Sequence, residues 1–347
     1  MNNADYAEHL RSIASLHMKL LPEAGESRTL CGVTLHRRDE SNCAATCSAH
    51  PGMGLLVQGA KRALMGGKTV EYTAGECLVV GVDMLDSFQA IGATHETPFL
   101  GVSFDLEEDE VVKITSEMDA CGIPIPKRAD AEDLSGAAWI MQPDIKVIDA
   151  YAKLVELFET PEEAPILAPL IRREIIFWFL VSQGGAAFRQ IFTVGAPEYR
   201  IRKAAFEIRK NLRNSIDFRE LAKSIGMSQP TFYRYFREVT GQSPLQYQKS
   251  LKLQEARRAI LSGLPVAQTG YEFGYESPAQ FSRDYATTEA SSVSARAATS
   301  SSSGKARRSG ARMPRTAAGL RAWKKRRKIP TGPSAKHRIS FSEETQN

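Results

Sequence analysis

The spacing of hydrophobic positions changes several times along this 347-residue chain. Residues 4–21 carry apolar side chains at helical spacing and predict an amphipathic helix ending at Pro22. From about 28 to 105 the runs shorten: "TLCGVTLHRR", "GMGLLVQGAKRALMGGKTVEYTAGECLVVGVDML" and "PFLGVSFDL" hold short apolar stretches broken by turn residues. Gly66-Gly67 predicts a hairpin and Ala74-Gly75 a further turn. Many short strands at this spacing predict a small sandwich or jelly-roll barrel. Helical period returns over 107–195. "DIKVIDAYAKLVELFE" places Ile145, Ile148, Tyr151, Ala152, Val155 and Phe158 on roughly one face. "APLIRREIIFWFLVSQGG" predicts a helix that starts near Pro165 or Pro169 and stops at Gly184-Gly185. These helices can pack within the domain or against a second subunit, and at least one is expected to contribute to a dimer.

From 198 to 285 the pattern is densely helical and contains one arrangement twice. In "DFRELAKSIGMSQPTFYRYFREVTG" (217–241), Leu221, Ala222 and Ile225 give a first helix its apolar stripe, and Gly226 permits a turn. Ser228 is a good N-cap and Pro230 is tolerated in the first turn of the next helix. Phe232, Phe236 and Val239 then face the core, leaving Gln229, Pro230, Thr231, Tyr233 and Arg234 outside. In "GYEFGYESPAQFSRDY" (270–285) the parts recur. Val266 to Phe273 forms the first helix, Gly274 the turn, Ser277 the cap and Pro278 the first helical position. Phe281 and Tyr285 point inward; Ala279, Gln280, Ser282 and Arg283 point outward. Both units read as helix-turn-helix motifs, whose second helix fits the major groove. There an Arg can pair with guanine O6 and N7, and a Gln with adenine N6 and N7. Between them, Ser243 caps and Pro244 starts a helix to Leu261, with Leu245, Leu251, Leu253, Ala256 and Ile260 as its apolar stripe. About 18 residues span about 27 Å, near the 34 Å of one duplex turn, so both reading helices could enter successive major grooves.

Charge sharpens this division. Residues 1–194 hold 16 Lys+Arg against 28 Asp+Glu, a balance of −12. Residues 195–285 hold 15 against 9, or +6, and residues 286–347 hold 14 against 3, or +11. An acidic front repels phosphate and a basic back attracts it. The last stretch is Ser/Ala/Arg-rich with few large apolar residues, and is expected to be disordered. Its "WKKRRK" (323–328) is a basic patch expected to add salt-sensitive phosphate affinity. Five cysteines and no signal-peptide pattern point to a reducing, cytoplasmic setting. No run of about 18 apolar residues exists, so no membrane span is expected.

The segments "LAKSIGMSQPTFYRYFREVTGQSPLQYQKSLKLQEARRAIL" and "GYESPAQFSRDY" resemble the AraC/XylS family of bacterial transcription regulators. "LLVQGAKRALMGGKTVEYTAGECLVVGVDM" followed by "TPFLGVSFDL" resembles a cupin-like N-terminal domain of that family. The resemblance implies a DNA-binding regulator, often an activator, whose N-terminal domain senses a small molecule or dimerises, with RNA polymerase as a partner. It places Pro230, Tyr233 and Arg234 toward bases in the first unit, and Ala279, Gln280 and Arg283 in the second. Pro230 and Ala279 offer only apolar contact, so readout there should be weaker. The chain departs from the family after Tyr285, where the expected aromatic-Gly turn, prolines and short closing helix are replaced by "ATTEASSVSARAATSSSSG". The abrupt change resembles translation in another reading frame; the other reading is a genuine tail extension.

Other constellations weigh less. Cys43-x3-Cys47-x2-His50 lacks a common zinc spacing, and His36, His50 and His95 are too scattered for a metalloenzyme barrel. Gln58, Lys61, Arg62, Tyr72 and Asp83 are polar candidates for an effector pocket in the barrel, against a surface or structural role for each. The expected fold is therefore α+β. A cupin-like β-barrel with flanking helices occupies 1–195, an all-α double helix-turn-helix domain 196–285, and a basic tail 286–347. The expected function is sequence-specific regulation of transcription, not enzymatic and without cofactor or metal. DNA contacts are expected from Ser228, Gln229, Pro230, Thr231, Tyr233, Arg234, Ser277, Ala279, Gln280, Ser282 and Arg283. The alternatives are a C-terminally altered regulator that binds nucleic acid without selectivity, and a cupin-type metalloenzyme.

Overall fold

The computed structural model describes residues 3–285, apart from 24, 26, 42–44, 66–67, 125–136, 183, 276 and 278. The Gly66-Gly67 turn, Cys43, Pro278 and the basic tail of the sequence reading therefore lie outside the described residues. Those that are described fall within one compact unit, Met1–Arg296.

Helix α1 (Asn3–Leu20) is followed by nine strands: β1 (Ser27–Leu30), β2 (Val33–Arg38), β3 (Ala45–Ala49), β4 (Gly52–Gln58), β5 (Ala60–Met65), β6 (Lys68–Thr73), β7 (Cys77–Val80), β8 (Met84–Ile91) and β9 (Phe99–Asp105). After α2 (Glu108–Ala120) comes a tenth strand, β10 (Ala138–Met141), and then only helices. The strands form two sheets, ordered β1-β2-β9-β4-β7-β10 and β3-β8-β5-β6. Strands β5 and β6 pair antiparallel with Met65 opposite Lys68, the register the expected hairpin requires. The expected barrel is not seen closed: among the described residues no ladder joins the two sheets, and the chain passes between them through connecting segments.

The two faces of the six-stranded sheet differ. On one, Val33, Leu35, Arg37, Met53, Leu55, Cys77, Val79, Leu100, Val102 and Phe104 are each at most 3% exposed. This face packs on helices: Tyr151 of α3 (Ile145–Glu156) meets the Phe104 ring at 6.1 Å, and Arg172 of α4 (Ala164–Leu180) lies over it at 5.2 Å. Burying each large apolar side chain contributes about 1.5–3 kcal/mol, so the domain's main core lies between sheet and helices. Arg37 is tolerated there because its charge is matched. Its guanidinium donates to both Asp39 oxygens at 2.8 Å and to the carbonyls of Leu21 and Pro22, pinning the end of α1 to β2. Those hydrogen bonds hold the Asp39 carboxyl below its ordinary pKa.

Helix α4 starts at Ala164 beside Pro165, the first of the two expected starts, and runs through Pro169. Its end differs from the expectation: it stops at Leu180, and Gly185 opens a separate helix, α5 (Gly185–Phe192). Pro165, at the second helical position, loses no hydrogen bond because the first four amides of a helix have no carbonyl partner within it, whereas Pro169 lies past that turn and cannot donate to the Pro165 carbonyl.

The C-terminal half comprises α6 (Pro197–Lys210), α7 (Phe218–Ser224), α8 (Gln229–Thr240), α9 (Pro244–Leu261) and α10 (Val266–Glu272), followed by helical residues 279–285. Ile201, Ala204, Ala205 and Ile208 of α6, Phe232 and Phe236 of α8, and Tyr247 and Leu251 of α9 belong to the same continuous core as the sheets. Leu253, Ala256, Phe273, Tyr275 and Phe281 form a second, small core. Helix α9 thus buries opposite sides in different cores. This corrects its expected single stripe: Leu245 is 59% exposed, and Tyr247 takes the buried position.

Candidate DNA-reading surface and effector cleft

In the first unit, Asp217 caps α7 by accepting from the amides of Arg219 (2.8 Å) and Glu220 (3.3 Å). Gly226 turns the chain with φ +69, and its carbonyl accepts from Arg200. Ser228 caps α8 by accepting from the Thr231 amide, and the two hydroxyls lie 2.8 Å apart. Phe232, Phe236 and Val239 are buried as the periodicity requires. That leaves Ser228, Gln229, Pro230 and Arg234 exposed, with Thr231 and Tyr233 half-buried. The Tyr233 ring stands edge-on to Phe218 at 6.4 Å, which fixes the direction of its hydroxyl. Arg234 lies over the Tyr235 ring at 4.9 Å and 4.0 Å from Glu238, so reaching a base would release it from its own helix.

The second unit repeats the geometry with weaker supports. Helix α10 has no side-chain cap at Pro265. Gly274 makes the turn with φ +76, and the Ser277 hydroxyl accepts from the Gln280 amide at 3.2 Å. Phe281 is 1% exposed and stacks near Tyr275 (5.2 Å) and Tyr285 (5.6 Å). A β-carbon on Gly270 would come within 3.3 Å of Phe281, so a glycine there lets the two helices close up. Ala279, Gln280, Ser282 and Arg283 are exposed, and Ser277 is half-buried. The Tyr275 hydroxyl is buried without a hydrogen-bond partner among the described residues; burial, then the Asp284 charge, pushes its pKa up to about 12. Arg213 joins the units by pairing with Glu272 at 2.9 Å and lying 5.7 Å from the Phe273 ring. Lys249 of α9 pairs with Asp284 at 2.8 Å. Neither tie was legible as a motif, because each links residues far apart in the chain.

A second candidate site lies between the sheets. Opposite the helix-packed face, Thr34, His36, Arg38 and Ser103 are only half-buried. His36 bonds Ser103 at 2.8 Å, and Phe99 on this face stacks with Phe88 of the four-stranded sheet at 6.5 Å. Lys61 lies over Phe88 at 4.3 Å and near Tyr72. Burial, then Arg38 and Lys61, lowers the His36 pKa to about 4, so it is neutral near pH 7. Of the five polar residues singled out from the sequence, Lys61 and Tyr72 share this space. Arg62 pairs with Glu71 on the outer side, Gln58 bonds the Pro98 carbonyl, and Asp83 faces α6 instead. His50 likewise contacts Asp83 and Arg209; among the described residues no group of His, Cys, Asp and Glu is arranged to hold a metal. Nor is any described helix long and apolar enough to cross a membrane.

Paired helix-turn-helix units behind a sheet-rich N-terminal domain are the arrangement of a DNA-binding transcription regulator. Residues 29–187 match the family model described as AraC-type transcriptional regulator N-terminus, and residues 221–296 match one described as helix-turn-helix domain. The chain belongs to the AraC family of transcription regulators. A search of curated proteins found no match. Solved structures with a similar outline include Vibrio cholerae ToxT bound to an unsaturated fatty acid, at 10% identity and TM-score 0.46, covering 77% of this chain and 93% of that one. ToxT bound to (E)-4-(8-methylnaphthalen-1-yl)but-3-enoic acid gives 10%, 0.47, 73% and 92%. The AraC-like transcriptional activator CuxR gives 11%, 0.27, 68% and 79%. With TM-scores below 0.5, the family assignment rests on the two sequence matches.

Proposed function

We propose that the chain regulates transcription by reading two neighbouring major-groove segments of double-stranded DNA with the starts of α8 and of the 279–285 helix. The supporting observation is that both begin at a serine cap and expose short polar residues while burying their aromatic ones. On this reading Arg283 and Gln280 read bases in one groove and Gln229, Tyr233 and Arg234 in the other, while Ser228, Thr231, Ser277 and Ser282 reach phosphates or base edges. Pro230 and Ala279 supply apolar contact. Residues 1–195 form the sensing half, cupin-like in descent, and take a small-molecule effector between the sheets. Residues 196–285 form the reading half. A homodimer that engages RNA polymerase in the cytoplasm completes the proposal; the family points to a regulator rather than an enzyme.

Selection of a preferred site from a random duplex library, followed by titration of Arg283→Ala, tests the base assignment. The variant should lose about 1–3 kcal/mol on that site and relax preference at one base pair. Equal weakening on every sequence would make Arg283 a phosphate contact. Failure of the parent chain to prefer any sequence over random duplex at two salt concentrations would leave the non-selective alternative.

A further inference from the structure

Asp83 and His50 lie in the sensing half, yet both meet the reading half directly. Each sits where the chain passes between the two sheets: His50 between β3 and β4, and Asp83 at the end of the 81–83 segment between β7 and β8. These crossovers are neighbours, because Gly52 pairs with Val80 and Ala49 with Met84. Arg209 of α6 bridges them, donating to Asp83 Oδ1 at 3.0 Å and lying 3.1 Å from His50 Nε2. His50 Nδ1 is itself 3.0 Å from Asp83 Oδ1. The Asp83 carbonyl also accepts from the Tyr247 hydroxyl of α9 at 2.7 Å, with Tyr247 1% exposed. One three-residue crossover is therefore held by both helices that flank the first helix-turn-helix unit.

The segment has little room to move alone. Gly81, Val82 and Asp83 are buried, and the Gly81 amide donates to the Ala137 carbonyl at 2.8 Å. A β-carbon on Gly81 would lie 2.6 Å from Ile191 of α5. Close packing passes displacement on to neighbours rather than absorbing it. Meanwhile the relative placement of the two DNA-reading units is set elsewhere, by α9, Arg213–Glu272 and Lys249–Asp284.

We propose that the 81–83 crossover, clasped by Arg209 and Tyr247, is the element that couples the spacing of the two sheets to the position of α6, α9 and the first DNA-reading unit. A ligand that parts or closes the sheets moves Asp83, and Asp83 moves α6. This driver rests on the reading of the space between the sheets as the effector site; the coupling itself does not. Coupling is reciprocal, so DNA bound at the helices must be felt at β7 and β8 through the same contact.

The test follows amide exchange in the full chain with and without a random-sequence duplex of about four helical turns at low salt. In the parent protein the duplex should slow exchange in β7 and at 81–85. In Asp83→Asn, which keeps the shape and removes the charge, that remote response should disappear while duplex affinity changes by less than about threefold. If β7 and 81–85 do not respond in the parent chain, or respond equally in Asp83→Asn, the coupling element is wrong. Should Asp83→Asn fail to fold, the exchanged pair Asp83→Lys with Arg209→Glu decides: return of the remote response supports the proposal, and a folded chain without it overturns the proposal. No effector is used, so a negative result leaves the inter-sheet site standing.

Discussion

The two helix-turn-helix units share a plan and differ in what stands behind them. In the first, Ala222, Phe232, Phe236 and Val239 join the core that continues through α6 into the sheets. In the second, Phe273, Tyr275 and Phe281 form a separate small core with Leu253 and Ala256, flanked by Ala259, Ile260 and Tyr285. The first has a capped helix at both positions, whereas α10 lacks a side-chain cap. The difference teaches that similar local signals can specify the same motif with unequal anchorage. The first unit must follow the sensing half, because separating them would expose a common apolar core. The second is tied through one face of α9 and a few ion pairs, and so has the lower barrier to local opening.

The sharpest way to break this comparison is to open equal holes in both units. Phe236→Ala should cost about 3–5 kcal/mol and lower the Tm of the whole chain, with exchange protection falling in β2, β4 and β9 as well as in α8. If those strands keep their protection, the core is not shared cooperatively. Phe281→Ala should cost a similar amount locally, with protection lost across 262–285 and retained in the sheets. Spread of that loss into α8 would erase the distinction.

Capping gives a smaller contrast. Ser228→Ala should remove about 1 kcal/mol from global unfolding, because α8 belongs to the cooperative core. Ser277→Ala should leave the main transition in place and speed exchange only at 279–285. The smallest effect concerns the tie between units. Arg213 is 66% exposed, so Arg213→Gln should change stability by about 1 kcal/mol or less, and the change should shrink further at high salt. A large, salt-insensitive loss would mean that its contact with Phe273 outweighs the ion pair.

Part of the molecule could be read from the chain alone because the causes are local. Ser228 and Ser277 cap because a hydroxyl reaches the backbone amide three residues on. Gly226 and Gly274 turn because a residue without a side chain tolerates positive φ. Phe232, Phe236 and Phe281 go inward because helical spacing leaves them on one side. The inference failed where a residue's environment is built by distant segments. Leu245 fits the expected stripe of α9, yet Tyr247 is buried, because α9 packs against two cores on opposite sides and one periodic face cannot describe both.

The sequence by itself determined the helix starts, the glycine turns and the alternation that makes strands, since each depends on a few adjacent residues and elementary sterics. Tertiary structure alone decided that the strands form two sheets, and that one face of the larger sheet is sealed by helices while the other mixes half-buried Thr34, His36, Arg38 and Ser103 with buried Leu56, Val80 and Phe99. It alone brought Arg209 to Asp83 and His50 across 126 and 159 positions of chain. Such pairings follow from how whole sheets and helices stack, and no spacing along the chain encodes that distance in space.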